Sequence, residues 1–168
     1  MIFITVGTHE QPFDRLIEKV DELVRTGIIT EEVIMQTGYG TYEPRNCKWQ
    51  KLFSYSEMIE YVDKARIVVT HGGPSSFIMP LQVRKIPVVV PRQKQFEEHV
   101  NDHQVEFAKS VAERQGNIIV VEKIDDLRRV LLEYDEIVSE MPAEMKSNNE
   151  SFNAEIEKIV NELFIGRK

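Results

Sequence analysis

The chain has 168 residues, with 21 basic and 28 acidic side chains and a formal net charge of -7. This length suits one domain with a substantial core and is too short for two full domains. The excess of acidic residues repels phosphate backbones, so nucleic acid is not an expected partner. Cys47 is the only cysteine, which excludes an intrachain disulfide, fits a cytoplasmic protein and predicts an inert thiol. The apolar runs are shorter than a membrane span needs, and the first residues do not resemble a signal peptide.

The order of apolar runs and turn residues predicts alternating strands and helices. Strands are predicted at residues 2–6, 33–36, 49–53, 66–70, 86–90 and 117–121. Helices are predicted at residues 13–24, 55–62, 75–85, 103–115, 124–134 and 147–163. Pro80 is expected to kink the third of these helices. Residues 41–48 are predicted to form a loop, and residues 139–149 a polar linker to the last helix.

This alternation favours one α/β domain over residues 1–168, with a Rossmann-like parallel sheet and helices on both of its faces. The last helical segment, from about residue 147, carries an apolar stripe. That stripe either packs on the sheet or docks on a partner, and the sequence leaves both possibilities open. In open parallel sheets, ligands bind at the carboxyl ends of the strands. Three polar segments of the chain follow predicted strands in this way.

The segment after the first strand is short and polar. Gly7 allows a tight turn, and Thr8 and His9 offer hydrogen bonds to an anion at the start of the next helix. An ordinary turn with Thr8 as a helix cap explains the same residues equally well. Both interpretations stay open for this segment.

The segment after the fourth strand combines histidine, glycine and serine. His71 follows the strand, and Gly72 and Gly73 free the backbone for the close approach of a ligand. Ser75 and Ser76 then stand at a helix N-terminus, where unpaired N–H groups and the helix dipole favour a phosphate. A turn with a capping serine is the alternative, but the combination favours a binding function.

The third segment, residues 92–104, follows the fifth strand. It is dense in side chains that can hydrogen-bond sugar hydroxyls and phosphates, among them Gln93, His103 and Gln104. Its composition alone would make it a solvated loop. His99 and His103 have the i, i+4 spacing of a metal-binding pair, but no third ligand is evident in the sequence, so a metal site is not expected.

Together these segments resemble a known family. Residues 6–8 and 13–17 are similar to the opening of the Alg13-like proteins, and residues 71–91 and 101–104 are similar to the signature of the glycosyltransferase family 28 C-terminal domain. The chain most resembles short capsule and exopolysaccharide transferase subunits of the PssE and Cps14G type. The resemblance implies the donor-binding C-terminal half of a GT-B glycosyltransferase, which transfers a sugar from a UDP-sugar to a lipid-linked acceptor. A separate, membrane-anchored Alg14-like subunit would carry the acceptor site and hold this chain at the inner face of the membrane.

The resemblance also implies roles for individual residues. The diphosphate would lie at Gly7 and Thr8 and at His71, Gly72, Gly73, Ser75 and Ser76. The uracil would lie at Phe53 and Ser54, and the sugar or phosphate at His103 and Gln104, with Gln93 as a further substrate-binding residue. The candidate catalytic residues are His71, with its ring facing the diphosphate, and His9, as a general base. No metal or cofactor is implied, because helix dipoles and N–H groups stabilise the leaving diphosphate.

One position departs from the family pattern. Family 28 domains often place a carboxylate for the ribose eight residues beyond the position of His71, where this chain has Met79. Glu97 and Glu98 are candidate replacements from the neighbouring loop. Two other functions are alternatives to a donor-binding subunit. One is a non-catalytic partner that stabilises a transferase, and the other is a UDP-sugar epimerase, which would need both halves in one chain.

Overall fold

Six parallel strands form the centre of the protein, which a computed structural model describes over residues 1–141. The strands are β1 (Ile2–Thr5), β2 (Val33–Gln36), β3 (Lys48–Gln50), β4 (Ile67–His71), β5 (Val88–Val90) and β6 (Ile119–Val120). Their order in the sheet is β3-β2-β1-β4-β5-β6. Every residue of β1, β4 and β5 is buried. These central strands are therefore largely continuous apolar runs, as strands covered on both faces usually are.

Helices cover both faces of this sheet. They are α1 (Asp14–Arg25), α2 (Tyr55–Lys64), α3 (Pro74–Gln82), α4 (His103–Gln115), α5 (Leu127–Leu132) and α6 (Tyr134–Glu140). One face packs on α1, α5 and α6, through side chains such as Ile4 and Leu16. The opposite face packs on α2, α3 and α4, through side chains such as Phe3 and Val62. The predicted parallel sheet with helices on both faces is confirmed.

The carboxyl ends of β1 and β4 meet at the topological switch point of the sheet. The chain runs from β1 through α1 to β2 on one face, whereas it runs from β4 through α3 to β5 on the other face. The loops after β1 and β4 therefore lead to opposite faces of the sheet, and such a switch point is where open parallel sheets form a ligand-binding crevice. The first two polar segments lie at this crevice, and the third follows the neighbouring strand β5.

The connection from β2 to β3 is a loop, as predicted for residues 41–48, except that Lys48 already belongs to β3. Side chains of α1 hold this loop in place. Asp21 on α1 is buried and accepts hydrogen bonds from Tyr42, Arg45 and Asn46. Burial raises the pKa of Asp21, but these hydrogen bonds outweigh it and lower the pKa below its ordinary value. Asp14 accepts two further bonds from the backbone and hydroxyl of Thr41. The loop is thus fixed by charged acceptors rather than by a helix of its own.

Several element boundaries differ from the sequence prediction. The strand predicted at 49–53 is Lys48–Gln50, because Ser54 is already the N-cap of α2. The helix predicted at 124–134 is a 3₁₀ turn followed by α5 and α6. The break between α5 and α6 falls at Glu133, next to Tyr134, whose hydroxyl donates to the Ile86 carbonyl at 2.7 Å.

Two further corrections concern the ends of helices. Since α6 continues to Glu140, the linker predicted from residue 139 starts too early, and the rest of it lies outside the described residues, as does the helix predicted at 147–163. Pro80 lies inside α3, and its carbonyl accepts the N–H groups of Val83 and Lys85, so the helix ends at Gln82. Within residues 1–141, no helix is both long and apolar enough to cross a membrane.

Candidate functional site

His71 lies at the crevice, and its ring bonds to the loop that follows it. It is the last residue of β4 and is only 8% exposed. The Gly73 N–H donates to its Nδ1 at 3.0 Å, and its Nε2 lies 2.8 Å from the Ser76 hydroxyl oxygen. Because a backbone N–H can only donate, Nδ1 is unprotonated, so Nε2 carries the proton and donates it to Ser76. Both ring nitrogens are therefore used by the loop that leads into α3.

The surroundings of His71 also keep the ring neutral. Burial and, to a lesser extent, the nearby positive charge of Arg92 lower the pKa of His71 to about 4. A neutral ring does not attract a diphosphate by charge, and its one N–H is already given to Ser76. That the ring faces the diphosphate stays a prediction, and in this structure both ring nitrogens bond to the loop. In this geometry His71 orients the Ser76 hydroxyl, and Ser76 is the residue that can reach a ligand.

Two glycines make room for the His71 ring. A Cβ atom at Gly7, after β1, would overlap the ring at Nε2, and a Cβ atom at Gly73 would overlap it at Cε1. Gly7 also has a φ of +74°, which side-chain-bearing residues rarely adopt. The sequence predicted that these glycines let a ligand approach the backbone. In the structure, the group that comes closest to them is a side chain of the protein itself.

Exposed polar groups remain at the crevice around the start of α3. Thr8 in the loop after β1 and Ser75 in α3 are exposed, and Ser76 is partly exposed. Ser75 lies in the first turn of α3, where N–H groups lack intrahelical partners and the helix dipole is positive. An anion bound at this turn would meet both serine hydroxyls and the Ser75 N–H, because Pro74 has no N–H and the Ser76 N–H already donates to the Gly73 carbonyl. The arrangement is chemically suited to a phosphate.

Gln104 joins the third polar segment to the loop after β4. Its Oε1 accepts the N–H of Gly72 at 3.0 Å and the N–H of Arg92 at 3.1 Å. A Cβ atom at Gly72 would lie 2.8 Å from the Gln104 Cβ, so a glycine is also needed for this close packing. Since the amide oxygen is engaged twice, the amide NH₂ is the end of Gln104 suited to donate to a ligand.

Arg92 holds the loops of the crevice together. Its buried guanidinium donates to the carbonyl oxygens of Val6, Gln11, Pro12 and Glu98. The first three acceptors belong to the loop after β1, and the fourth belongs to the loop after β5. Burial lowers the pKa of Arg92 to about 10, which leaves the group charged at neutral pH. Sequence reasoning missed this role, and its place directly after the fifth strand was the one available signal.

Glu98 and Gln93 are already occupied within this loop. Glu98 is 3% exposed and accepts two hydrogen bonds from the Arg15 guanidinium, at 2.7 and 2.9 Å, and one from the Gln93 N–H. The side-chain amide of Gln93 donates to the Glu122 carbonyl at 2.7 Å and accepts from Gln95 at 2.6 Å. Both side chains are therefore engaged in hydrogen bonds that stabilise the fold. Glu98 therefore does not replace a ribose carboxylate, and the predicted contact of Gln93 with the donor would require these bonds to break.

All four histidines of the chain lie at this edge of the sheet. The rings of His9 and His99 are 5.0 Å apart, and His9 Nε2 lies 2.9 Å from the Gln11 amide oxygen. His103 is the first residue of α4 and its side chain is 77% exposed. In the part of the chain that the structure describes, no group of three or more histidine, cysteine or acidic residues could hold a metal ion. The role of His9 as a general base stays a prediction.

Comparison with known proteins identifies the domain. The family model for the glycosyltransferase family 28 C-terminal domain matches residues 1–162. This chain belongs to that family. It is 31% identical over 126 residues to the UDP-N-acetylglucosamine transferase subunit ALG13 of Homo sapiens, and 28% identical over 125 residues to the protein of that name from Mus musculus. These matches cover 70% and 69% of this chain but only 10% of each relative.

Solved structures support the fold of this family 28 domain. The glycotransferase of kitacinnamycin superposes with a TM-score of 0.58 at 21% identity, over 79% of this chain and 34% of that one. The glycosyltransferase SnogD from Streptomyces nogalater superposes with a TM-score of 0.51 at 19% identity, over 84% and 40%. Identities this low establish the fold alone. The family 28 domain therefore has the Rossmann-like fold of the C-terminal half of GT-B enzymes.

The positions predicted to bind the base lie beyond β3 in this family 28 domain. The Phe53 ring packs against Tyr61 with 4.9 Å between centroids, and the Phe53 N–H donates to Gln36 Oε1 at 3.0 Å. Ser54 forms a capping box with Glu57, in which its own N–H donates to the glutamate at 2.8 Å. The N–H groups of Phe53 and Ser54 are thus used inside the protein. Recognition of a base here would depend on the backbone carbonyl groups.

Two further features lie near the predicted donor site. Met79 is half-buried and packs against the cluster around Phe3 and Val68, so its position offers an apolar contact where family 28 domains often have a carboxylate. An open cavity of about 640 Å³ lies between the N-termini of α3 and α4. Among its lining residues are Gly73, Pro74, His99, His103, Gln104 and Phe107. The cavity thus brings the second and third polar segments to one place, as the sequence predicted.

Proposed function

We propose that this chain is the donor-binding catalytic subunit of a split GT-B glycosyltransferase. It transfers a sugar from a UDP-sugar to a lipid-linked acceptor in capsule or exopolysaccharide synthesis. A membrane-anchored Alg14-like subunit binds the acceptor and holds the chain at the cytoplasmic face of the membrane. Two findings support this proposal: the match to the family 28 C-terminal domain, and the likeness to proteins named as UDP-N-acetylglucosamine transferase subunits.

The junction of β4 and α3 is the observation that carries the proposal. Ser75 and Ser76 stand in the first turn of a nine-residue helix, at the switch point of a parallel sheet. His71 holds the Ser76 hydroxyl in place through a hydrogen bond of 2.8 Å. A diphosphate bound at this turn gains the serine hydroxyls, the Ser75 N–H and the positive end of the helix dipole together.

In the proposed reaction the acceptor hydroxyl attacks the anomeric carbon of the donor sugar. The new bond joins the acceptor oxygen to that carbon, while the bond from the carbon to the diphosphate oxygen breaks and UDP leaves with its electrons. The first turn of α3 stabilises the negative charge that develops on the leaving UDP. The proton of the acceptor hydroxyl passes to a general base, for which His9 is the candidate on this chain.

Calorimetric titration of the full chain with UDP tests the ligand. Ser75→Ala removes one hydroxyl donor to a charged phosphate, so we expect the Kd for UDP to rise about tenfold, or about 1.4 kcal/mol. Ser110→Ala, in the middle of α4, is the matched control and should leave the Kd unchanged. Absence of binding by the wild-type chain at millimolar UDP would contradict the proposal.

A transfer assay with and without the membrane partner tests the split architecture. A GT-B site lies between two domains, and residues 1–141 form one of them. Positioning the acceptor hydroxyl contributes roughly 7–11 kcal/mol, so the chain alone should show no measurable transfer. Efficient transfer by the isolated chain would rule out the split. If Ser75→Ala left transfer by the assembled complex unchanged, the non-catalytic alternative would be favoured instead.

A further inference from the structure

A buried glutamine links the loop after β1 to the loop after β3. Gln36 is the last residue of β2 and is 3% exposed. Its Nε2 donates to Thr5 Oγ1 at 3.1 Å, and its Oε1 accepts the Phe53 N–H at 3.0 Å. Thr5 Oγ1 also accepts the Gly7 N–H, at 3.3 Å. One hydrogen-bonded path therefore runs from Gly7, through two buried side chains, to Phe53.

The backbone around Gln36 reinforces this link. The Gly38 N–H donates to the Lys51 carbonyl at 2.8 Å, which ties the end of β2 to the chain that leads to Phe53. On its other side, a Cβ atom at Gly38 would lie 2.8 Å from the Gly7 carbonyl oxygen, so the two loops are in close contact. The end of β2 therefore contacts both the loop after β1 and the loop after β3.

The two ends of the path have different expected partners. Gly7 lies at the turn where the diphosphate is expected, and Phe53 lies where the base is expected. A side chain that bonds to both loops fixes the distance between them, and this distance limits the size of the base that fits at Phe53 once the diphosphate is bound at Gly7. Gln36 itself has no access to a ligand because it is buried and both ends of its amide are used.

We propose that Gln36 is a positioning residue. It sets the spacing between the turn at Gly7 (the diphosphate turn) and the chain at Phe53 (the base loop), and thereby the preference for a uracil nucleotide. The inference rests on the proposed function, because it takes UDP as the ligand of this edge. Loss of Gln36 leaves Thr5 able to accept the Gly7 N–H, so the diphosphate turn keeps its own support. The Phe53 N–H, in contrast, loses its acceptor, and the base loop becomes free to shift.

Calorimetric titration with UDP and with ADP separates these effects, because the two ligands share the diphosphate and ribose. In Gln36→Leu we expect the Kd for UDP to rise about tenfold and the Kd for ADP to change less than about threefold. Gln36→Asn keeps the amide group, but its side chain is too short to span both partners. Its Kd values should therefore resemble those of the leucine variant. Gln50→Leu is the control, since Gln50 is the exposed register partner of Gln36 on β3.

The outcomes are distinct from those that test the proposed function. If the wild-type chain does not bind UDP, the proposed function fails. If the wild type binds UDP but both Gln36 variants weaken UDP and ADP equally, or neither, the positioning role is overturned. A lower folded fraction changes both Kd values alike and leaves their ratio unaffected. In the wild type, the side-chain NH₂ resonance of Gln36 should also shift on addition of UDP, and an unchanged resonance would contradict the proposal without any variant.

Discussion

Protonation of His71 should destabilise the protein at mildly acidic pH. The ring accepts the Gly73 N–H at Nδ1, so it has to stay unprotonated to keep this bond. The pKa of His71 is about 4 in the folded protein, against an ordinary value of 6.5. A folded pKa below the unfolded one means that the unfolded chain binds the proton first. The stabilisation is therefore complete above pH 6.5 and is lost as the pH falls toward 4.

The two pKa values set the size of this effect. They correspond to a loss of about 2 kcal/mol in the free energy of unfolding between about pH 7 and pH 5, and of about 3 kcal/mol once the pH is below both values. A typical domain has a total stability of roughly 5–15 kcal/mol, so the loss from this single ring is readily measured.

Urea unfolding of the wild type and of His71→Asn, each at two pH values, isolates the contribution. Asparagine does not titrate, so between about pH 7 and pH 5 the variant should lose about 2 kcal/mol less than the wild type. The other titratable groups are shared by both proteins and cancel in the comparison. Equal losses would refute the reasoning. An NMR titration of the ring gives the same answer without a variant, since the His71 signals should stay those of the neutral form at pH values where exposed histidines are protonated.

Three further predictions follow from the packing. Gly7→Ala should lower the thermal stability by about 1–3 kcal/mol more than Gly27→Ala, because both glycines have positive φ but a Cβ atom at Gly27 would meet open space; equal effects would show that the His71 ring yields easily. Arg92→Met should cost about 3 kcal/mol or more in urea unfolding, since four carbonyls lose a buried donor, and wild-type stability would contradict the assigned role. Burial raises the pKa of the Cys47 thiol to about 12, so iodoacetamide near neutral pH should label it about 10³-fold more slowly in the folded than in the unfolded chain, and rapid labelling of the folded protein would count against this burial.

The sequence predicts the central part of the fold well because burial on both faces leaves a clear pattern. The strands β1, β4 and β5 are apolar runs that end in glycine, histidine or proline, and the chain order of strands and helices then places three polar segments at one edge. The edge strand β3 is harder to predict. Lys48 and Gln50 are exposed, so no apolar run marks where this strand ends.

The contacts inside the site could not be predicted because they join residues that are far apart in the chain. The Arg92 guanidinium reaches the Val6 carbonyl across 86 positions, and no local pattern announces a buried arginine. A histidine next to two glycines is a pattern that favours a ligand-binding residue. Only the folded structure shows that the His71 ring packs closely against Gly7 and Gly73. A run of polar residues predicts a solvent-exposed loop, whereas Glu98 in this run is buried against Arg15.

The fit of one imidazole ring against two glycines has an evolutionary consequence. A Cβ atom at Gly7 or Gly73 would overlap the ring of His71, so a substitution at either glycine should cost less stability once position 71 carries a smaller side chain. The order of substitutions is therefore constrained, and the three positions should be inherited as a unit. A library that randomises residues 7, 71 and 73 together should yield stable combinations in which a substitution at Gly7 or Gly73 is destabilising when it is made alone.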